Sequence, residues 1–489
     1  MSNQGFLGTF GVTVPSEHYG ELTVNGADTA IRILGSNLNS IRNASVLYGE
    51  TSRANVSCID CVWTGTTLSF HTAAAAELAT IFPHFVTHGS HFFDPNADTV
   101  ESLAFRFTDI DLFFEGSGSV GTFVASPSLA ASVLSAAPNG NARPAGAVPV
   151  VSYFDGNMEV WGLDTAIGRI SVQNVVEARS IHPFKHHLEM RLVFASPITF
   201  KESVNRLIQV RHCLTAIAGR AQALEAIKLI PNTSDTDAAH KRPLNLEWCL
   251  SPAGPAKTDP VPTSSGLLLD LLRRPEEFSV VLSGWLSRDK AWQWPQARYV
   301  QGIEQGRHYT ADRLVAAANI FDLLPESAYP LPEPLPPKVA EAAAQTKALF
   351  KDLPDSIERS SVLGTLGRFG KLSLPKKVSH RGGIVLSQLH RRLPSLQQVL
   401  KTAVLCRNHF VHGSKFDLET FDPYLALMTD TLEFVFIASD LIELGWQAAD
   451  WANGLNGGHR FAEFLHSYES TISEFIAACK HARLNTEAE

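Results

Sequence analysis

Hydrophobic and polar residues alternate from the N-terminus to about residue 200, which is the pattern of β-strands with one buried face. Glycines and asparagines interrupt the alternation at short intervals and supply turns between the strands. This pattern predicts an antiparallel sandwich or barrel. The clearest predicted strands are 5–12, 20–24, 30–34, 102–107, 158–161, 169–172 and 189–194.

The hydrophobic period changes after Thr199, where apolar residues recur every three to four positions, as on an amphipathic helix. This helix is predicted to end near Gly219, and the segments 226–230 and 246–250 resemble strands. The proline-rich segment 251–265 predicts a domain boundary. Helices are then predicted at 278–286, 309–324, 338–350, 356–368, 423–447 and 460–481, together with a long helix that ends at His412.

The chain of 489 residues is therefore predicted to be an α+β protein with more than one domain. Residues 1–255 are predicted to form an antiparallel, β-rich domain that is sandwich-like or barrel-like. Residues 262–489 are the all-helical bundle domain.

The segment 406–413, Cys-Arg-Asn-His-Phe-Val-His-Gly, ends the long predicted helix. It brings an arginine, an amide and two imidazoles within about one and a half helical turns. Arg407 continues an apolar stripe, where a charge is costly unless it is paired or faces a partner. Gly413 favours a left-handed cap, which lets His412 turn back towards Arg407. The stripe consists of Leu396, Val399, Leu400 and Ala403.

Charge is distributed unevenly along the chain, whose net charge is −8. Residues 359–416 contain eleven lysines and arginines and no aspartate or glutamate. A basic zone in an acidic protein predicts a local anionic ligand, and nucleic acid is the commonest. The first three of the predicted RNA-binding residues lie in a predicted loop, 369–382, which ends at Gly382 and Gly383. The predicted RNA-binding residues are Lys376, Lys377, Arg381, Arg391, Arg392, Lys401 and Lys415.

Other candidate sites are less specific. Cys58 and Cys61 form a CxxC without a second pair, so small apolar residues within a strand are the favoured interpretation. A metal site at His84, His88 and His91, completed by an aspartate, is weighed against histidines in a loop or core, which are favoured. Asp109 and Asp111 could bind a metal or act as an acid–base pair, but the favoured interpretation is that they form a turn. No apolar run spans a membrane and the N-terminus has no signal sequence, so we expect a cytoplasmic protein.

The chemistry that fits arginine, asparagine and histidine is phosphodiester cleavage in RNA, which carries its own 2′-hydroxyl nucleophile. Histidine transfers protons near neutral pH, and arginine binds phosphate with two donors. No carboxylate cluster lies near the motif, which argues against a Mg²⁺ nuclease. Two chains packed through this helix would supply two copies of His412, and His409 is the alternative second histidine. Helix capping with surface charge remains the structural alternative.

The Arg407-Asn408-His409-Phe410-Val411-His412 segment resembles the R-x4-6-H motif of HEPN-domain ribonucleases. The whole chain resembles the ApeA-like anti-phage proteins, which pair an N-terminal β domain with a C-terminal HEPN domain. The segments 8–10, 20–22, 89–92 and 102–109 carry the N-terminal part of this resemblance.

The resemblance implies an RNA endonuclease, without metal or other cofactor, that arrests the infected cell. It implies that Arg407 holds the phosphate, Asn408 supports it and His412 is the acid–base residue, while His409 lies at a variable position of the motif. The implied partners are RNA, with tRNA and mRNA as candidates, a second copy bound through the HEPN domain, and an unknown phage-derived trigger. From the architecture we expect the β-rich domain to restrain or trigger the ribonuclease. The alternative function is a HEPN-like regulatory protein that binds RNA or a nucleotide without cutting it.

Overall fold

The computed structural model describes residues 4–35, 38–69, 76–114, 118–136, 145–179, 182–232, 242–331, 334–454 and 458–488. The chain divides into two compact units, Met1–Ser287 and Arg288–Glu489. We call the first the β-rich unit and the second the helical unit, and this order confirms the predicted fold class. The division falls after the predicted boundary, because a helix at Pro275–Leu286 packs on the β-rich unit through Phe278, whose ring meets Trp161.

Six strands of the β-rich unit close into an antiparallel ring in the order β6-β3-β2-β1-β4-β5, because β5 pairs with β6 as well as with β4. An open extension continues from β6 in the order β14-β13-β7-β12-β11-β10, and β8 and β9 pair separately. Of the two folds predicted, the barrel-like one is therefore found. The strands are β1 (Gln4–Gly11), β2 (His18–Val24), β3 (Ala30–Gly35), β4 (Val46–Thr51), β5 (Asn55–Ser69), β6 (Ala76–Gly89), β7 (Thr99–Phe107), β8 (Val120–Val124), β9 (Val150–Phe154), β10 (Glu159–Thr165), β11 (Gly168–Arg179), β12 (His182–Ile198), β13 (Leu224–Asn232) and β14 (Leu244–Trp248).

The ring encloses an apolar core to which alternate residues of β2 and β3 contribute, as the alternating sequence predicts. Phe10, Leu22 and Ile33 are fully buried there, and Cys58 lies among them. Burial holds the pKa of the Cys58 thiol well above its usual value, so this cysteine acts as a small apolar residue.

Five helices belong to the β-rich unit, among the residues that the structure describes. The longest is the helix predicted after Thr199. The Thr199 side chain accepts a hydrogen bond from the Glu202 N–H at its start, and Gly219 ends it at a positive φ of 66°. The helices are α1 (Asn39–Arg42), α2 (Ile110–Phe114), α3 (Pro127–Ala136), α4 (Phe200–Ala218) and α5 (Pro275–Leu286).

The helical unit follows the longer predicted helices, and two of its differences from the prediction concern helices near the candidate site. A helix at Lys290–Glu304 was not predicted, since Pro295 lies inside it and hides its periodicity. The predicted loop 369–382 is also wrong, because a helix runs from Leu374 to Leu389 through Gly382 and Gly383. The helices are α6 (Lys290–Glu304), α7 (Ala311–Leu323), α8 (Pro337–Lys351), α9 (Ile357–Leu366), α10 (Leu374–Leu389), α11 (Leu396–His412), α12 (Leu418–Phe421), α13 (Leu425–Glu443), α14 (Ala448–Asn453) and α15 (Arg460–Ala488).

Helix α13 is the most deeply buried helix of this unit and fixes its neighbours. The buried Arg313 on α7 donates to both carboxylate oxygens of Glu433 on α13, at 2.8 and 2.9 Å. This bidentate pair anchors α7, the helix that also faces the end of α11. No helix in the described ranges is long and apolar enough to cross a membrane.

Candidate functional site

The candidate site lies at the C-terminal end of α11, after a buried apolar stripe. The four stripe residues predicted from the sequence, at positions 396, 399, 400 and 403, are all buried. Cys406 is buried as well, and burial raises the pKa of its thiol to about 11, which keeps it protonated at neutral pH. Arg407 is the first half-buried residue after this stretch, so the helix brings a cation from its core-facing side to the surface.

Arg407 is fixed by three side chains. Its Nε and Nη2 groups both donate to Oδ1 of Asn319 on α7, at 3.0 and 2.8 Å. Its Nη1 group donates to Oδ1 of Asn408, at 3.0 Å. The same Nη1 lies 3.2 Å from Nε2 of His412. The structure therefore brings together three of the four predicted catalytic residues and adds Asn319.

The end of α11 accounts for the contact between Arg407 and His412, which are five residues apart. The helix ends at His412, and Gly413 has a positive φ of 67° with its N–H donating to the His409 carbonyl at 2.8 Å. Gly413 is therefore the left-handed cap that the sequence predicts. His412 is exposed, so both the imidazole and one edge of the guanidinium face solvent.

His409 has different partners. Its Nδ1 lies 2.8 Å from the carbonyl oxygen of Ser414, and because a carbonyl only accepts, Nδ1 is the donor. Its ring also packs against Phe410 and Phe416. His409 thus holds the segment that follows the helix, whereas His412 faces Arg407.

The predicted RNA-binding residues separate into exposed and paired groups. Lys377 lies 3.1 Å from Asp322, and Arg392 lies 2.9 Å from Glu469, so acidic residues outside the basic zone offset these two charges. The remaining exposed cations make no ion pair within the described part of the chain. They are Lys376, Arg391, Lys401 and Lys415.

Arg381 is the exception, and its assignment to an RNA-binding surface is wrong. Its side chain is 0% exposed. Its Nη1 donates to Glu443 at 2.7 Å, and its Nε donates to Ser439 at 2.8 Å. Its charge is taken up inside the helical unit, because a buried arginine without a carboxylate would be strongly destabilising.

Lys376 and Lys401 line one concave surface of about 570 Å³ between α10 and α11. His380 lies in the same surface, and burial, followed by the nearby Arg381, lowers its pKa. Two exposed ammonium groups beside one cavity have the charge that binding of a phosphate group requires.

The other candidate sites have structural partners. His84 and His88 lie in strand β6, where Nδ1 of His84 is 2.7 Å from the Asp60 carbonyl oxygen and His88 packs on the ring of Phe6. Burial raises the pKa of Cys61 to about 12. No group of three histidine, cysteine or acidic residues is arranged for a metal within the ranges that the structure describes.

Asp109 belongs to a buried polar cluster. Nε of Arg220 donates to its carboxylate at 2.8 Å, and Nε2 of Gln222 donates to it at 2.7 Å. The Asp109 N–H donates in return to Gln222 Oε1 at 3.1 Å. Asp111 is exposed in the first turn of α2. In addition to the turn-forming role predicted for it, Asp109 therefore forms a buried ion pair. This pair connects the end of β7 to the segment after α4.

The N-terminal part of the chain matches a known family. The ApeA N-terminal domain 1 family matches residues 8–285, which is more than half of the chain. No curated protein matches the chain, and no solved structure does. The ApeA N-terminal domain indicates an anti-phage defence protein of the abortive-infection type. The chain belongs to the ApeA family.

Proposed function

We propose that the helical unit is a HEPN-type RNA endonuclease that needs no metal ion. Cleavage would leave 2′,3′-cyclic phosphate and 5′-hydroxyl ends, and it would arrest the cell during phage infection. The observation that supports this most is the distance of 3.2 Å between Arg407 Nη1 and His412 Nε2 at an exposed helix end.

The chemistry follows from the donor and acceptor roles of the two side chains. An arginine N–H always donates, so His412 Nε2 is the acceptor and carries a lone pair. When a phosphate binds Arg407 in place of the imidazole, this nitrogen is free to take the proton of the 2′-hydroxyl. The 2′-oxygen then bonds to phosphorus while the bond to the 5′-oxygen breaks, and Arg407 stabilises the charge on the phosphoryl oxygens. Asn408 would hold the guanidinium in this position.

A second proton donor is needed for the departing 5′-oxygen. We propose that a second copy of the chain supplies it as its own His412. Three large apolar residues near the end of α11 are exposed, and such a patch favours association through this helix. They are Leu405, Phe410 and Val411. His409 is the alternative donor within one chain, although it donates from Nδ1 to Ser414.

The remaining parts of the proposal concern binding and control. Lys376, Lys401 and Lys415 are exposed and would contact the RNA backbone, joined by Arg391. An unrestrained ribonuclease would poison its own cell, so we assign to the β-rich unit the sensing of a phage-derived trigger.

The test is incubation of the purified full-length protein with total RNA in EDTA. We expect discrete fragments that carry 2′,3′-cyclic phosphate and 5′-hydroxyl ends. RNA that is retarded in a gel but intact would instead indicate a protein that binds RNA without cutting it. Cleavage that EDTA abolishes would contradict a metal-independent mechanism.

A further inference from the structure

Trp294 on α6 is exposed to an unusual degree for the largest apolar side chain. It is 77% exposed, whereas Trp292, two residues earlier, is buried. Within the described part of the chain, no aromatic ring or cation packs on Trp294. A single exposed apolar residue is common, but Trp294 also lines a pocket, and the two features together indicate that a ligand covers it.

The face of α6 that carries Trp294 lines a pocket of about 450 Å³. Ala297, Arg298 and Gln301 follow it at the helical spacings i+3, i+4 and i+7, and all three line the same pocket. Helix α7 contributes Asn319, Asp322 and Leu323 to the lining, and Arg407 of α11 belongs to it as well. The pocket that Trp294 lines therefore also includes the candidate catalytic arginine.

The lining selects a flat aromatic ligand that carries negative charge. The apolar wall consists of Trp294, Ala297 and Leu323, while Arg298 and Arg407 supply positive charge. The one carboxylate of the pocket lining, Asp322, lies 3.1 Å from the ammonium group of Lys377, which offsets its charge. A nucleotide fits both features, because its base stacks on an aromatic ring and its phosphate pairs with a guanidinium.

We propose that this pocket holds a nucleobase of single-stranded RNA, next to the phosphate that Arg407 binds, with Trp294 as its stacking platform. The inference rests on the proposed function and adds a base-binding subsite to it. Proteins read unpaired RNA by stacking splayed bases on aromatic side chains. Gln301, which also lines the pocket, carries both a donor and an acceptor for the edge of that base.

The experiment measures RNA affinity in His412→Ala protein, which binds without cutting. Fluorescence anisotropy compares a short single-stranded RNA with the same RNA bearing one abasic position, scanned along the strand. Trp294→Ala should weaken binding of the intact RNA by about tenfold. It should leave the affinity unchanged for the RNA whose abasic site removes the stacked base. Trp294→Phe should restore most of the affinity, and Phe369→Ala, at an exposed aromatic residue outside the pocket, should have no effect.

The outcomes separate this inference from the proposed function. Equal losses for intact RNA and for every abasic RNA, or no loss at all, would overturn the base pocket while RNA cleavage still supports the ribonuclease. A dimer that dissociates in Trp294→Ala, with unchanged base-dependent affinity, would reassign this surface to a second copy and would also overturn it. Base-dependent binding in a protein whose His412-containing form cuts no RNA would keep the pocket and refute the enzyme.

Discussion

Asn319 holds the guanidinium of Arg407 through one oxygen that accepts two hydrogen bonds. Asn319→Ala should leave the guanidinium free to rotate and should slow RNA cleavage by about tenfold, since hydrogen bonds to charged groups are among the stronger ones. Cleavage rates at saturating and limiting RNA measure this effect. Asn319→Asp should also be slow, because a carboxylate would neutralise the charge that binds phosphate.

A double-mutant comparison isolates the positioning role of Asn319. If it acts only through Arg407, then Asn319→Ala should add nothing in protein that already carries Arg407→Ala. Additive losses in the double variant, or lower folded-state stability of Asn319→Ala, would show that it acts by another route.

Arg381 and Lys401 test which basic residues bind RNA. Arg381→Ala should lower the free energy of unfolding by about 2 kcal/mol, because it removes the buried partner of an ion pair whose other member, Glu443, is partly exposed. Lys401→Ala should leave stability unchanged and reduce the salt dependence of RNA affinity by about 0.7 in logarithmic slope, one phosphate contact. Urea unfolding and binding at several salt concentrations measure both. A fully stable Arg381→Ala protein with weakened RNA binding would contradict this division.

At this scale the sequence reveals a local motif more readily than its distant partners. Arg407 and His412 are close in the chain, so spacing and Gly413 were sufficient to predict their contact. Asn319 is 88 residues away from Arg407, and no local pattern distinguishes it. Arg381 was misassigned for the same reason, since its carboxylate partner lies 62 residues later, outside the acid-free segment.

The end of α11 depends on the backbone of Gly413. Its φ of 67° is the left-handed conformation, and there is open space where a side chain would project. Gly413→Ala should therefore destabilise the protein by about 1 kcal/mol through backbone strain alone, and it should slow cleavage by moving His412. Gly413→Asn should be milder in both respects, because asparagine tolerates this conformation. Thermal unfolding and cleavage rates measure the two effects, and equal behaviour of both variants would contradict the capping role.

Helix α4 contains a histidine that makes the β-rich unit sensitive to acid. Burial, and then the adjacent Arg211, lowers the pKa of His212 to about 4 from its ordinary value of 6.5. Between these two pH values the unfolded chain binds the proton and the folded chain does not, so stability falls as pH drops through this range. Urea unfolding at about pH 7 and about pH 5 should show a smaller acid loss in His212→Gln than in the unmodified protein.

Other histidines with lowered pKa values do not confuse this comparison. Burial is the main cause that lowers the pKa values of His187 and His380 too, and both remain in each protein. The difference between the two acid losses therefore reports His212, and equal losses would contradict its burial as a neutral ring.

Helix boundaries were predicted well where periodicity is strong and poorly where glycine or proline carries another role. Gly382 predicts a loop end, but it lies inside α10, where the close packing of α11 leaves no room for a larger side chain. A methyl group there would lie 2.5 Å from Cδ1 of Leu400. Pro295 similarly prevented the prediction of α6, because proline usually breaks a helix, although here it lies inside one.

At the scale of the whole molecule, the change of hydrophobic period predicted both the β-rich and the helical unit. Closure of the ring depends on the pairing of β5 with β6 as well as with β4, and alternation alone does not distinguish that from a sandwich. The division after Ser287 was missed because α5 is a helix that packs with strands. Family membership comes from the β-rich unit, whereas the proposed chemistry belongs to the helical unit.

In the proposed mechanism, Arg407 and His412 together cut RNA without a metal ion. Its most direct test is the rate of RNA cleavage in EDTA by His412→Ala and Arg407→Ala proteins whose circular dichroism and thermal unfolding match the unmodified protein. We expect each substitution to slow cleavage by about 100-fold or more, while RNA binding persists in His412→Ala. Cleavage at the unmodified rate by a well-folded His412→Ala protein would contradict it.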